Sequence, residues 1–265
     1  MTLTFTILGC GSSGGVPRPG LGWGDCNPVN PKNRRRRTAL LIQRRSGRGL
    51  TSVLVDTSPD LREQLLDAEV NWLDGVLYTH AHADHIHGID DLRALVLYKR
   101  RRVDIYCDTF TSALLRARFD YCFATPPGSE YPPILNEHRI AAAKPVTISG
   151  EGGAITALPY LQAHGSIPSL GFRFGKLAYS CDLSGLPDDS VEALADLDVW
   201  ILDALRYKPH PSHLTVEQAL DWVSRIKPRR AILTNLHADL DYDALRAELP
   251  PNVEPAFDGL RISTT

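Results

Sequence analysis

Short apolar blocks rich in Val, Ile, Leu and Phe alternate along the chain with segments that carry apolar residues at helical spacing. The short blocks predict strands at Leu3–Leu8, Ala39–Gln43, Ser52–Asp56, Gly75–Thr79, Val103–Cys107, Ile155–Pro159, Gly171–Phe174, Leu177–Cys181, Val199–Asp203 and Ala231–Thr234. The periodic segments predict helices at Pro59–Leu66, from near Asp90, and at Thr111–Phe119, Val191–Ala195, Val216–Ile226 and Tyr242–Glu248. This mixed order predicts one α/β domain over residues 1–265, with sheets covered by helices.

Composition places the chain among ordinary globular proteins, with 265 residues, 43% hydrophobic and 23% charged. The formal net charge of -2 gives no general basic field, so a dedicated nucleic-acid binder is disfavoured. The run Arg34–Arg37 is a local exception. It is either the solvated entry to a strand or a phosphate-attracting rim beside an active site.

The five cysteines, at positions 10, 26, 107, 122 and 181, include no C-x-x-C pair. An odd number cannot pair completely within the chain, so we expect reduced, buried thiols and a cytoplasmic protein. The first residues lack the pattern of a secretory signal, and no apolar run approaches the length of a membrane span.

The segment Gly9–Gly14 matches the G-x-G-x-x-G pattern of dinucleotide-binding loops and follows a predicted strand. That pattern also needs a helix starting at its third glycine, whereas Pro17 and Pro19 follow here. We therefore reject a nucleotide cofactor and predict a tight turn. Its N–H groups could face an anion, which makes Ser12 and Ser13 candidate substrate-binding residues.

Four residues of metal-ligand type occur within the six positions His80–His85, directly after a predicted strand. Imidazole and carboxylate groups hold zinc, manganese or iron in sites that keep an open position for chemistry. His80 and His82 are two residues apart in an extended segment and point to one side. Asp84 and His85 follow after the chain has turned and can face a second ion.

Further ligand types follow other predicted strands, at His164, Asp182 and His237. Each alone is ambiguous, but together they fit a site built along one edge of a pair of sheets. Asp56 also ends a strand. It is either an acceptor that fixes the metal-binding loop or a histidine tautomer, or an N-cap of the following helix, for which Ser58 serves equally.

The segment His80–His85, taken with Asp56, His164, Asp182 and a late histidine, resembles the metallo-β-lactamase superfamily. The resemblance covers nearly the whole chain and implies an αββα four-layer sandwich with a dinuclear site at one edge. Finer motifs resemble the PhnP-type phosphodiesterases, which open cyclic phosphodiesters such as phosphoribosyl cyclic phosphate. These motifs are Gly9–Pro17, Asp56–Arg62, Pro211–Thr215 and Phe257–Gly259.

The resemblance also implies residue roles: His80, His82 and His164 bind one metal, Asp84, His85 and His237 bind the other, Asp182 bridges them, and His213 is the catalytic histidine on the substrate side. Two departures matter. Only Cys26 remains of a cysteine cluster that often holds a further zinc, so we predict no such zinc. The last metal histidine commonly follows the threonine directly, where Asn235 stands here, so Asn235 or Asp239 is a possible substitute for His237.

These residues predict a metal-dependent phosphodiesterase acting on a small cyclic phosphodiester or nucleotide-like ester. Two divalent ions, zinc or manganese with iron as an alternative, would lower the pKa of bound water from about 15.7 towards about 7, and the hydroxide would attack phosphorus. His213, with an unperturbed pKa of about 6.5, would protonate the leaving group, with Asp84 and Asp56 as further catalytic candidates. For His213, a structural place beside the helix cap at Thr215 is the alternative.

Other activities stay open at this point. An RNA-processing nuclease of the same superfamily is one, and a thioester or lactone hydrolase is another. A non-catalytic metal module is disfavoured, because closed structural sites favour cysteine-rich coordination. The expected partner is a small substrate and not a membrane, and a homodimer is left open.

Overall fold

Two seven-stranded sheets face each other in the computed structural model, which describes residues 2–264. The outermost residues of the predicted domain, Met1 and Thr265, lie outside the described residues. The first sheet has the strand order β14-β1-β2-β3-β4-β5-β6 and the second has the order β13-β12-β11-β10-β9-β8-β7. In each sheet one half pairs antiparallel and the other half parallel.

The strands of the first sheet are β1 (Leu3–Gly9), β2 (Ala39–Ser46), β3 (Gly49–Val55), β4 (Gly75–Leu77), β5 (Val103–Cys107), β6 (Leu135–Arg139) and β14 (Arg261–Thr264). Those of the second are β7 (Val146–Ile148), β8 (Ile155–His164), β9 (Ile167–Phe174), β10 (Leu177–Ser180), β11 (Val199–Asp203), β12 (Arg230–Thr234) and β13 (Val253–Pro255). The α-helices are α1 (Leu61–Asp67), α2 (Ala83–Ile86), α3 (Leu92–Lys99), α4 (Thr109–Arg118), α5 (Asp120–Phe123), α6 (Asp188–Glu192), α7 (Val216–Ile226) and α8 (Tyr242–Glu248). Short 3-10 turns cover Pro31–Asn33 and Ile89–Asp91.

Apolar residues form three layers, as the predicted αββα sandwich requires. The central layer lies between the sheets, where Phe5 and Phe174 make an edge-to-face contact with their ring centroids 5.7 Å apart. A second layer packs α1, α3 and α4 on the outside of the first sheet, and a third packs α7 and α8 on the outside of the second. Each large apolar side chain buried in this way contributes about 1.5–3 kcal/mol, so the layers fix how the strand ends are aligned.

The sequence pattern and the structure differ at several element ends. The helix predicted to start at Pro59 starts at Leu61, because residues before it are held in a turn in which Ser58 Oγ accepts from Asp60 N–H. The helix predicted at Val191–Ala195 is Asp188–Glu192. The pattern missed β6, β7, β13 and β14, all four of which are edge strands of three to five residues, too short to show an alternation. Within residues 2–264 none of the helices has the length and apolar character needed to cross a membrane.

Candidate metal centre

The carboxyl ends of parallel strands from both sheets meet at one edge of the sandwich. Asp56 follows β3, Asp182 follows β10 and Asn235 follows β12, and all three have left-handed backbones with φ of 63°, 56° and 63°. Asp and Asn adopt this conformation more readily than other non-glycine residues, and such strained residues concentrate at functional sites. A backbone hydrogen bond of 2.9 Å from Leu170 N–H to the Thr79 carbonyl joins the two sheets here.

Five side chains converge at this edge, and we call them the ligand cluster: His80, His82, His85, His164 and Asp182. Asp182 is central. Its Oδ2 lies 3.6 Å from His80 Nε2 and 3.4 Å from His164 Nε2, and its Oδ1 lies 3.4 Å from His85 Nε2. His82 Nδ1 is 3.1 Å from His164 Nε2. Asp84 Oδ2 lies 3.5 Å from His85 Nε2, at the side of the cluster.

The ligand cluster fits metal ions. His80 Nε2 and His85 Nε2 are buried and have no hydrogen-bond partner within residues 2–264, which is costly unless another group satisfies them. Metal–ligand bonds of about 2.0–2.2 Å in a tetrahedron place ligand atoms about 3.3 Å apart, close to the separations around Asp182. His82 is exposed, so the cluster keeps a side open to solvent. The residues therefore suit a catalytic metal site better than a closed structural one.

The outer ring nitrogens of the cluster histidines are held by protein acceptors. Asp56 Oδ2 accepts from His85 Nδ1–H at 2.7 Å and from the Thr79 hydroxyl at 2.7 Å, and Thr79 Oγ1 in turn lies 3.0 Å from His80 Nδ1. His164 Nδ1–H donates to the Ser212 carbonyl at 2.7 Å. These contacts leave each inner nitrogen with its lone pair towards Asp182. Asp56 is therefore an acceptor that holds the His85 ring and not one of the metal-ligand positions, which agrees with the first of its two predicted roles.

Several carboxylates are buried in and around the ligand cluster. Asp56, Asp182 and Asp203 are at most 2% exposed, and within residues 2–264 none of them pairs with Lys or Arg. Burial lowers the pKa of His80 well below its usual value, which keeps this ring neutral. Burial also acts to lower the pKa of His85, but the charges of Asp182, Asp84 and Asp56 raise it well above its usual value. Buried carboxylates whose partners are imidazoles favour a divalent ion, which would supply positive charge at this place.

His213 approaches the cluster from the second sheet. Its Nδ1–H donates to Asp203 Oδ2 at 2.9 Å, which leaves Nε2 directed at Asp182 Oδ2, 3.9 Å away. Burial acts to lower the pKa of His213, but the hydrogen bond and charge of Asp203 raise it to about 9. Thr215 caps α7 through a capping box with Gln218, which fixes the backbone beside His213. His213 therefore lies both at the predicted catalytic position and beside the cap of α7.

Asp203 was not among the predicted site residues, although the sequence contained a signal for it. It is the last residue of a correctly predicted strand, the same position that drew attention to Asp56 and Asp182. Besides His213, it accepts from Asn235 Nδ2 at 3.1 Å and from Leu183 N–H at 3.2 Å. It therefore holds the catalytic candidate by the same kind of contact with which Asp56 holds His85.

A side pocket of about 160 Å³ opens next to the cluster and contains both predicted serines. It is lined by Ser12, Ser13, Arg18, Asp84, Leu205, Arg206, His210, His213, Asn235 and His237. A wider cavity of about 640 Å³, around Trp72 and Arg101, contains none of the clustered histidines. We place the candidate site at the smaller one, because the catalytic candidates His213 and Asp84 line it.

His237 lies in the side pocket and outside the ligand cluster. Its Nδ1 is 2.9 Å from Asp239 Oδ1, and its Nε2 contacts Arg18 Nη1. Asn235, not His237, reaches the cluster, where its Nδ2 donates to Asp182 Oδ1 at 3.0 Å. The predicted metal-ligand role of His237 finds no support in this geometry, and the same holds for Asp239.

Most side chains of the run Arg34–Arg37 make contacts within the protein. Arg35 is 2% exposed and donates to the carbonyl oxygens of His237 at 3.1 Å and Leu240 at 2.6 Å. Arg36 pairs with Asp67 and Asp258, and Arg37 pairs with Asp60. Cys26 lies beside Arg35 with its Sγ directed at the Leu240 carbonyl. Neither predicted reading of the run is right for Arg35, which is neither solvated nor part of a rim.

The Beta-lactamase superfamily domain matches residues 51–235. A solved structure described as a new diphosphatase from the PhnP family is 34% identical with a TM-score of 0.89, covering 100% of this chain and 98% of that chain. An octanoyltransferase of Porphyromonas gingivalis is 34% identical over 259 residues, covering 96% of this chain and 50% of the relative, so the chain spans about half the length of this curated relative. The short form of human tRNase Z is 18% identical with a TM-score of 0.63, covers 98% of both chains and is a likeness in fold alone.

Proposed function

This chain belongs to the metallo-β-lactamase superfamily, as a hydrolase related to the PhnP family, and on that premise we propose that it hydrolyses a small phosphodiester or nucleotide-like phosphate ester with two divalent ions. The observation that carries the proposal is the pairing of His213 with Asp203 beside an open His/Asp cluster. A proton donor at that place is needed only when the leaving group is a poor one, as an alkoxide expelled from phosphorus is.

Divalent ions bound at the ligand cluster would polarise the phosphate oxygens and supply a nucleophile from water. We propose His80, His82 and His164 around one ion, Asp84 and His85 around the other, and Asp182 between them. The separations around Asp182 support this division, since each of its oxygens faces a different set of histidines.

The protein's own groups account for the remaining chemistry. Asp203 keeps His213 oriented and protonated at neutral pH, because its charge raises the pKa of the imidazolium to about 9 despite the opposing effect of burial. His213 Nε2–H would then protonate the leaving oxygen. We propose that Ser12 and Ser13, which line the side pocket, contact the substrate.

Acyl chemistry is the second candidate, because one relative is named an octanoyltransferase. Two observations weigh against it. All five cysteines are buried and free, so none is available as an acyl acceptor. The side pocket is small and lined mostly by charged and polar side chains, whereas sites for larger apolar ligands are about 300–1,000 Å³ and mostly apolar.

A substrate panel with the metal-loaded protein tests the proposal. It should contain bis(p-nitrophenyl) phosphate, p-nitrophenyl phosphate, adenosine 2′,3′-cyclic phosphate, inorganic diphosphate, an octanoyl thioester and a lactone. We expect the phosphodiesters to be hydrolysed at least about tenfold more efficiently than the thioester and the lactone, as kcat/KM. Preference for the thioester would refute the proposal, and salt-dependent binding of RNA would favour the nuclease alternative.

A further inference from the structure

The wider cavity of about 640 Å³ lies at the other end of the sandwich from the ligand cluster. Asp74, in its wall, directly precedes β4, whereas His80 of the cluster follows that strand. A ligand in this cavity is therefore separated from the candidate metal centre by the length of β4. The volume falls within the range of about 300–1,000 Å³ that is usual for sites of small organic ligands.

Two cationic side chains in the wall of the cavity have N–H donors to spare. They belong to the run Lys99–Arg102, whose four members are all exposed. Lys99 and Arg101 line the cavity, on either side of Arg100 with its left-handed φ of 52°. Within residues 2–264, Lys99 forms no ion pair, and the carboxylate within 4.0 Å of Arg101 is that of Asp74, at 3.8 Å. That distance is too long for a hydrogen bond, so both cations can donate to an anion.

Trp72 and Arg101 form an oriented pair in the same wall. Arg101 Cζ lies over the Trp72 ring, 4.6 Å from its centroid. The indole is fixed in turn, because Trp72 Nε1–H donates to Asp74 Oδ1 at 3.2 Å, while Asp74 Oδ2 accepts from Ser52 N–H at 2.9 Å. Nucleobases stack both on aromatic rings and on the guanidinium plane of arginine. The pair therefore offers a surface already oriented for a planar ring.

The second sheet adds a carboxylate to the wall. Glu151 lies in the segment that follows β7, and its carboxylate packs against Gly49, where a Cβ would come within 2.6 Å of Oε2. Glu151 is exposed and forms no ion pair in the part of the chain that the structure describes. An ionised carboxylate only accepts hydrogen bonds. A ligand that uses the whole wall must therefore carry N–H donors as well as an anionic group.

We propose that this cavity binds a nucleoside phosphate, with the base on the Trp72–Arg101 pair, N–H groups of the base towards Glu151, and the phosphate at Lys99. A nucleotide combines a planar ring, N–H donors and an anionic group in one molecule. A free phosphate has neither the ring nor the donors, and an apolar ligand would leave the charged groups unpaired. This inference does not depend on the proposed function, because no residue of the ligand cluster or of the side pocket takes part.

Tryptophan fluorescence of the metal-loaded protein tests the site, since a base stacked at the pair should quench the indole. The probe is the phosphonate analogue of guanosine 5′-monophosphate in which a methylene group replaces the ester oxygen, so that it is not hydrolysed. Guanosine and methylphosphonate represent its two halves. We expect saturable quenching by the analogue with a Kd at least about tenfold lower than that of guanosine, and no quenching by methylphosphonate.

Variants assign the signal to the cavity. Trp72→Phe should remove the quenching, and Lys99→Gln or Arg101→Gln should raise the Kd about tenfold, as expected for loss of a charged hydrogen bond or of stacking. The matched controls are Trp222→Phe and Arg225→Gln, because this second pair makes the same kind of contact, at 4.8 Å, outside the cavity. Both controls should leave the quenching and the Kd unchanged.

Three results would overturn the proposal. Quenching that persists in Trp72→Phe, with an unchanged Kd in Lys99→Gln and Arg101→Gln, would place the nucleotide elsewhere, at the metal ions. Equal Kd values for the analogue and guanosine would show that the site does not recognise the phosphate. Binding of a single-stranded oligoribonucleotide, without binding of the analogue, would make the run Lys99–Arg102 a nucleic-acid surface instead.

Discussion

The ligand cluster and the side pocket are neighbours, but different parts of the chain hold them. The cluster side chains follow the ends of β4, β8 and β10, and protein acceptors hold the outer nitrogens of His80, His85 and His164. The pocket's arginines are long side chains on loops, in the segments after β1 and after β11. The candidate metal ligands are thus held by the sheets, whereas the arginines of the side pocket are held by loops.

The two regions also differ in charge. The cluster combines imidazoles with buried carboxylates, and within residues 2–264 no Lys or Arg pairs with its central Asp182, so it favours cations. The pocket has two arginines, Arg18 and Arg206, that form no ion pair with an acid in the part of the chain that the structure describes, and it favours anions. A substrate phosphate bound at the boundary would contact metal ions on one side and guanidinium groups on the other. Substitutions on the two sides should therefore fail in different ways.

The largest effect is expected from Asp182→Asn in the cluster. Asp182 faces His80, His85 and His164, so loss of one carboxylate charge should weaken the binding of both ions. We expect metal content below one equivalent and a loss of turnover of about 10³-fold or more, because the ions supply several kcal/mol of transition-state stabilisation.

Metal analysis together with kcat/KM on bis(p-nitrophenyl) phosphate measures this effect. Asp104→Asn is the matched control, since Asp104 also pairs with a histidine, His138, at 3.2 Å but on the surface. Full metal content in Asp182→Asn would show that this residue is not shared between the ions.

His213→Ala should have the next largest effect. It leaves the ligand cluster intact but removes the proton donor, so we expect full metal content and a loss of about 10²–10⁴-fold with an alkyl leaving group. A p-nitrophenolate leaving group needs little protonation, so the loss with that substrate should be much smaller. Equal losses on both substrates would argue against proton donation and for a structural place beside the cap of α7.

The cluster could largely be predicted from the sequence, because His80, His82, Asp84 and His85 are close together after one strand and Asp182 follows another. The structure brings all of these near one another, although their metal-binding roles remain predictions. The arginines of the side pocket gave no such signal, because long side chains on irregular loops reach the site from any spacing. The conspicuous Arg34–Arg37 run drew attention instead, and three of its four members pair with acids or lie buried.

The spacing after β12 shows the same limit. Asn235 has a left-handed backbone with φ of 63°, which redirects the chain after the strand. Asn235 consequently faces Asp182, and His237 faces Arg18. A sequence pattern names both residues as candidates, but the backbone conformation at one residue decides which of them reaches the cluster.

A smaller effect is expected from Asp203→Asn, which acts only through His213. Burial lowers the pKa of His213 and Asp203 raises it to about 9, so the acid form is present at neutral pH and is lost as the pH rises through about 9. Without the charge of Asp203, the pKa should fall to about 6.5 or below. At pH 7.5 about a tenth of His213 would then be protonated, so kcat with a poor leaving group should fall about tenfold.

The pH–rate profile is the decisive measurement for Asp203. In Asp203→Asn, the alkaline limb of the kcat profile should move to lower pH for a substrate with a poor leaving group. The profile of the p-nitrophenyl substrate should show little change. A uniform decrease across all pH values on both substrates would assign Asp203 to structural support, since it also accepts from Leu183 and Asn235.

The smallest change in metal content is expected from His237→Ala, which tests the boundary between the two regions. The Nε2 lone pair of His237 is engaged by Arg18 and its Nδ1–H by Asp239, so neither nitrogen is directed at the cluster. We expect the variant to retain the same metal content as the unaltered protein, whereas His85→Ala, as the matched histidine of the cluster, should lose metal. If His237→Ala instead loses one equivalent of metal, the residue belongs to the cluster, as its place after β12 first predicted, and the contact with Arg18 is not the one made when the ions are bound.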